Sequence, residues 1–168
     1  MLFVLPRMSQ LLTVSLAAVL LVACVQPTQQ VDKEMVVEFL VASEQCAIEK
    51  SIAYRIESAI DLSRAYGLLG GNKKPEANID WQQERVLLLA MGRQASAGYS
   101  LTLASSRAIH NNGELAISVL WQEPEPHTMQ AQLVTSPCLL VKLPREGYQH
   151  IVVNDALAPH KKHWGHVP

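Results

Sequence analysis

The chain has 168 residues, 14 of them Lys or Arg and 15 Asp or Glu, for a formal net charge of −1. That length suits one domain, or one domain with a tail. The charges are interspersed, so no basic stripe fits nucleic acid and no acidic block fits a disordered tail.

Residues 1–24 read MLFVLPRMSQLLTVSLAAVLLVAC. A single basic residue, Arg7, precedes an apolar run of about 13 residues, shorter than the roughly 17 to 25 that a membrane-spanning helix needs. It reads as an export signal. The end of the run, LVAC at 21–24, resembles the lipobox of bacterial lipoproteins, whose cysteine is acylated before the signal peptide is cut in front of it. That resemblance implies a signal peptide at 1–23, a lipid bilayer as partner through acylated (palmitate-bearing) Cys24, and a flexible tether over 24–34. Several acyl chains together anchor firmly where one binds marginally. By the sorting tendency of such lipoproteins, Val25 in the second position implies the outer membrane, with the folded part in the periplasm.

The remaining cysteines, Cys46 and Cys138, are an even pair in an oxidising compartment and read as a disulfide closing a loop of about 90 residues. Two separate buried thiols are the alternative. No second cysteine lies near either one, which argues against a metal site.

Along the domain assigned to 35–155, MVVEFLVAS (35–43) reads as a first strand, although its continuous apolar content also permits a short helix. SIAYRIES (51–58) alternates as a half-buried strand does. Ser58 with Asp61 resembles a capping box, and Ile60, Leu62, Tyr66 and Leu69 share a broad helical face that Gly70 and Gly71 terminate. Trp81 begins another packed segment, and residues 86–91 read as a strand buried on both faces. Further strands follow at 99–107, at 114–124 behind an NNG hairpin turn at 111–113, at 128–137 and 138–144 divided or bent at Pro137, and at 148–155. Seven or so strands and one helix predict a mainly β fold, a small β-sandwich or partly closed barrel with one short helix, with α+β as the alternative. Residues 156–168 form a polar tail carrying His160, His163 and His166.

Catalytic and metal patterns are not evident. There is no G-x-S-x-G elbow, and Ser100 starts a strand instead of a strand-to-helix turn. His110, His127 and His150 have no local ligand spacing, and the tail histidines read as a surface-packed or solvent-exposed terminus. The reading is therefore a non-enzymatic protein with no cofactor and no metal; the alternative is an enzyme whose site is assembled from distant positions and carries no recognisable motif. An exposed loop has more content: Gly92, Arg93, Gln94, Ala95, Ser96, Ala97 and Gly98 combine turn-forming glycines with small residues that could leave backbone N–H groups open to a partner. EPEPH (123–127) would extend it into a composite binding edge if both lie at one end of the sheet.

The run IDWQQERVLLLAMGRQASAGYSL, followed by LAISVLWQEPEP and QLVTSPCLLVKLP, resembles the C-terminal domain of the protease complex subunit PrcB family, over about residues 40–155. A glycine–tyrosine segment of that family maps to Gly92, Ala95, Ser96, Ala97, Gly98 and Tyr99, without its proline and one of its glycines; a Thr-x-Pro feature is retained at Thr135 and Pro137. The resemblance implies a lipoprotein acting as a non-catalytic protein-binding module that stabilises or assists a protease complex by scaffolding, inhibition or protection, with an envelope protease or another envelope protein as the partner. The same loop is similar to the tips of immunoglobulin-like inhibitors of cysteine proteases, which implies inhibition as the alternative role.

Overall fold

Residues 86–91 lie at the centre of the molecule, and the alternation of their side chains explains the layers. In the computed structural model, which describes residues 32–70, 77–161, 163, 164 and 167, they fall in and just after β4 (Glu84–Ala90). Leu87, Leu89 and Met91 enter one core, while Val86, Leu88 and Ala90 enter another on the opposite face. Burying each leucine is worth about 1.5–3 kcal/mol.

β4 is sandwiched in a four-stranded antiparallel sheet of order β2-β8-β4-β3, with β2 at Glu38–Ser43, β3 at Ile52–Ile56 and β8 at Cys138–Pro144. On its outer face lies α1 (Ala59–Leu68), which buries Leu62, Ala65 and Tyr66. Ser58 caps the helix, accepting the Asp61 N–H at 3.2 Å, and Gly70 follows it at φ +65°. Ile60 departs from the expected face and is largely exposed, because the buried stripe runs through Leu62, Ala65, Tyr66 and Leu69. Gly71 lies outside the described residues.

The inner face packs on a second sheet of β1 (Lys33–Val36), β5 (Ser100–Leu103), β6 (Arg107–Asn111), β7 (Glu114–Gln122) and β9 (His150–Asp155). β9 runs parallel to β7, and all other strand pairs are antiparallel. Among the described residues the fold is a mainly β two-sheet sandwich with one short helix, as the strand pattern predicts.

Three expected strands differ. The run 35–43 is two strands in different sheets: fully buried Val37 donates its N–H to Ser106 O, and the chain then crosses to pair with β8. Such corners join the sheets of a sandwich. The run 99–107 is also two strands, since Ser105 Oγ accepts the Arg107 N–H at 3.0 Å, a local serine turn that interrupts the ladder. The NNG turn joins β6 to β7 as expected, with Asn112 at φ 51° and Gly113 at φ 79°. Residues 128–134 are not a ladder strand; beyond them, bridges form only at Thr135 and Ser136.

Candidate interaction surface

The connection from β4 to β5 crosses between the sheets, and its glycines are conformational necessities. Gly92 sits at φ +77°, and a Cβ there would stand 2.7 Å from backbone atoms of Lys50 and Ser51. Gly98, at φ +97°, faces Gln130 Oε1 and Pro124 Cβ at 2.8 and 3.0 Å from its would-be Cβ. That proximity brings the 92–98 loop and the 123–137 connection to the same end of the sandwich.

The two segments are hydrogen-bonded along their length. Gln94 and Thr135 exchange backbone bonds of 2.8 and 3.1 Å, Ala97 N–H donates to Ala131 O at 3.0 Å, and Met91 N–H donates to Pro137 O at 2.9 Å. Thr135 Oγ1 adds a bond to Ser96 O at 3.0 Å. Arg93 N–H turns to Glu49 O at 3.1 Å. The expectation that this loop leaves its N–H groups open is therefore corrected for Arg93, Gln94 and Ala97: small side chains let a second segment approach closely, and that segment takes the donors. Arg93, Ala95 and Gly98 keep exposed surfaces.

Exposed apolar groups come from the neighbouring connection. Met129 is fully exposed, and Leu133 and Val134 are 56% and 44% exposed. A 15-residue connection of this kind is long for a compact domain, where such loops are usually either functional or linkers. The disulfide holds its base: Cys46 and Cys138 are bonded, with Cα atoms 6.2 Å apart and 92 positions of separation, as the even pair predicts. Ser136 ties the same corner, donating its hydroxyl to Ile48 O at 2.6 Å.

The tail packs beside this end. His163 stacks on Trp121 with ring centroids 3.7 Å apart and meets Asp155 Oδ2 at 3.0 Å, while Trp164 Nε1 donates to Ala90 O at 3.2 Å. Burial alone would push the Asp155 carboxyl up; hydrogen bonds from His163 and from the backbone N–H groups of Leu157, Ala158 and Trp121 outweigh it and hold the group below its ordinary value. No local spacing in the sequence signals this cluster.

At the opposite end, Arg55, Arg85 and Arg145 surround Glu57 at 3.8, 3.4 and 3.0 Å. Arg85 donates to Arg145 O at 2.6 Å and Arg145 to Trp81 O at 2.9 Å, so these side chains fasten loops together. Burial pushes the adjacent Tyr148 hydroxyl up to about 12, against the pull of Arg85, and it donates to Pro144 O at 2.5 Å.

Among the described residues, no three His, Cys, Asp or Glu side chains gather as a metal site would require. No described helix is long and apolar enough to cross a membrane. Cys24 and His166 lie outside the described residues.

Asp32 accepts a hydrogen bond from Asn111 Nδ2 at 2.6 Å, which places the start of the described chain at the β6–β7 turn. From that turn, β7 runs nine residues to Gln122, about 27 Å at strand rise, before reaching the 92–98 and 123–137 segments. The surface and the chain entry are at opposite ends.

No curated protein and no solved structure matches the chain. Residues 85–144 match the family model described as PrcB C-terminal. The match is narrower than the resemblance at about 40–155 implies. It contains β4 to β8, the 92–98 loop and the Thr135 and Pro137 feature that pins it, and so the chain carries a PrcB C-terminal-like domain at residues 85–144.

Proposed function

We propose that this protein is an envelope lipoprotein whose β-sandwich binds another protein, with an envelope protease as the partner class. In this reading Cys24 carries the acyl anchor, the outer membrane is the site of attachment, and the domain faces the periplasm. The observation that carries the binding role is the joined surface of 92–98 and 123–135, which gathers exposed Met129, Leu133 and Val134 at the end remote from the chain entry. β1 begins at Lys33, which shortens the tether expected over 24–34, and residues 25–32 span at most about 29 Å. Anchored there, the entry end is the part of the domain held within that reach of the bilayer.

The inhibitor reading requires a tip that inserts into a protease cleft. The 92–98 loop is instead bonded to 131–135 along one side, which favours a docking face over an inserted tip.

Two measurements test the reading. Labelled palmitate should enter the wild type and disappear in Cys24→Ala; persistence rejects the anchor. Affinity capture from gently solubilised envelopes should recover a protease-containing partner with the wild type and lose it about ten-fold in a folded Met129→Ser, Leu133→Ser variant, since two apolar contacts of this size are worth more than 1.4 kcal/mol. Unchanged recovery rejects the surface.

A further inference from the structure

The segment leading into Thr135 and Ser136 has one side occupied and one side open. Thr135 pairs with Gln94 on the loop side. Ser136 pairs on the other side with Gln45, donating to Glu44 O at 2.9 Å and accepting from Cys46 N–H at 2.9 Å. Backbone groups alternate along an extended chain, so Gln132 and Val134 direct theirs to the side on which Gln45 meets Ser136. Among the described residues, the N–H and C=O groups of Gln132 and Val134 have no hydrogen-bond partner. Residues 131–134 are all exposed.

Open strand edges are normally blunted by charge, proline or short length. The other edges here follow that rule: β1 has four residues and carries Lys33 and Glu34, β2 carries Glu38, β3 carries Arg55, β5 has four residues, and β9 is met by Val167. Residues 128–135, TMQAQLVT, carry neither charge nor proline and include the exposed apolar Met129, Leu133 and Val134. An uncharged strip with a free row of backbone donors and acceptors fits an extended, uncharged, apolar segment better than a charged or helical one.

We propose that the partner contributes an extended segment that adds as a strand along residues 132–134, pairing with the backbone of Gln132 and Val134 in continuation of the existing Gln45–Ser136 bridge. This rests on the reading that this end of the domain binds protein, and it specifies the mode.

The full-length protein carrying a photoreactive benzophenone residue at Gln132, or separately at Ala95, is irradiated in intact envelopes. Val134→Pro removes an N–H that is unbonded in the free protein, and Val134→Thr keeps it at similar size. The expected result is a heterologous adduct from position 132 in the wild type and in Val134→Thr, reduced about ten-fold in Val134→Pro with its urea midpoint unchanged, the loss that one backbone hydrogen bond produces. An equal adduct in Val134→Pro overturns strand addition. Adducts from position 95 with none from 132 overturn it while leaving the protein-binding reading intact, and adducts from neither position overturn both. An adduct of two copies of this chain overturns the choice of partner. If Val134→Pro fails to fold, Gln132→Pro is scored at the benzophenone-bearing position 131; failure of both to fold would show that the backbone of 131–134 does not hold the extended, unpaired form that strand addition needs, and the proposal falls.

Discussion

Gly92→Ala and Gly113→Ala form a matched pair that isolates what the 92–98 loop costs to alter. The two glycines have nearly equal dihedrals, φ +77° and φ +79°. Forcing an L-residue into that region costs about 1–2 kcal/mol, and this term is common to both. The surroundings differ: a Cβ at Gly113 would meet only Gln149 side-chain atoms at 3.6 Å or more, whereas at Gly92 it would meet Lys50 C and Ser51 N at 2.7 Å. Those are backbone atoms, so relief requires the 49–51 segment to move and weakens Arg93 N–H to Glu49 O. Overpacking of this kind adds about 1–3 kcal/mol. Urea unfolding with a slope of about 1.5 kcal/mol/M should show a midpoint loss of about 0.7–1.3 M for Gly113→Ala and about 1.3–3.3 M for Gly92→Ala. Equal losses, or a smaller one at Gly92, would refute the view that this loop is held by close backbone approach.

Reduction of the Cys46–Cys138 disulfide should lower stability by about 4.6 kcal/mol for a closed loop of this length, read from urea midpoints with and without reductant; an unchanged midpoint would show that the staple is dispensable. Thr135→Val should cost about 1–2 kcal/mol, because Ser96 O loses its hydroxyl donor while volume is preserved, and amide exchange at Gln94 should quicken with it. Asp155 gives a pH signature: its folded pKa is depressed, so its contribution is fully present above the unfolded value near 3.8 and is lost as pH falls through the folded value. Asp155→Asn should therefore flatten the acid limb of the stability profile below about pH 4 relative to wild type. A limb of unchanged slope in the variant would remove Asp155 from that account.

The layers were readable because side-chain period is a local property. Residues 86–91 announce a strand buried on both faces, and Ser58 with Asp61 announces a helix start, without knowledge of the rest of the chain. Partner choice is not local. Nothing in MVVEFLVAS marks Val37 as the residue at which the chain leaves one sheet for the other; that follows from Ser106 accepting its N–H. The parallel pairing of β9 with β7 likewise depends on β8 having entered the other sheet in between.

The candidate surface divides in the same way. Small residues between Gly92 and Gly98 signal close approach, but their composition is silent about whether the approaching group is a partner or the chain itself. Thr135, some forty positions later, supplies the answer by taking the backbone of Gln94 and the carbonyl of Ser96. The two features that carry the PrcB-like resemblance in sequence are thus a single hydrogen-bonded unit in space. Small side chains in the loop permit the contact, Thr135 holds it, and residues 130–134 are left at the rim with an open edge. The short run QLV offers no periodicity from which that edge could be inferred, because its exposure is set by the loop it lies against and by where Glu44 to Cys46 stop pairing beside it. On the proposed reading, interaction capacity at this end belongs to the pair of segments, and substitutions in 92–98 should alter binding chiefly by moving 130–134.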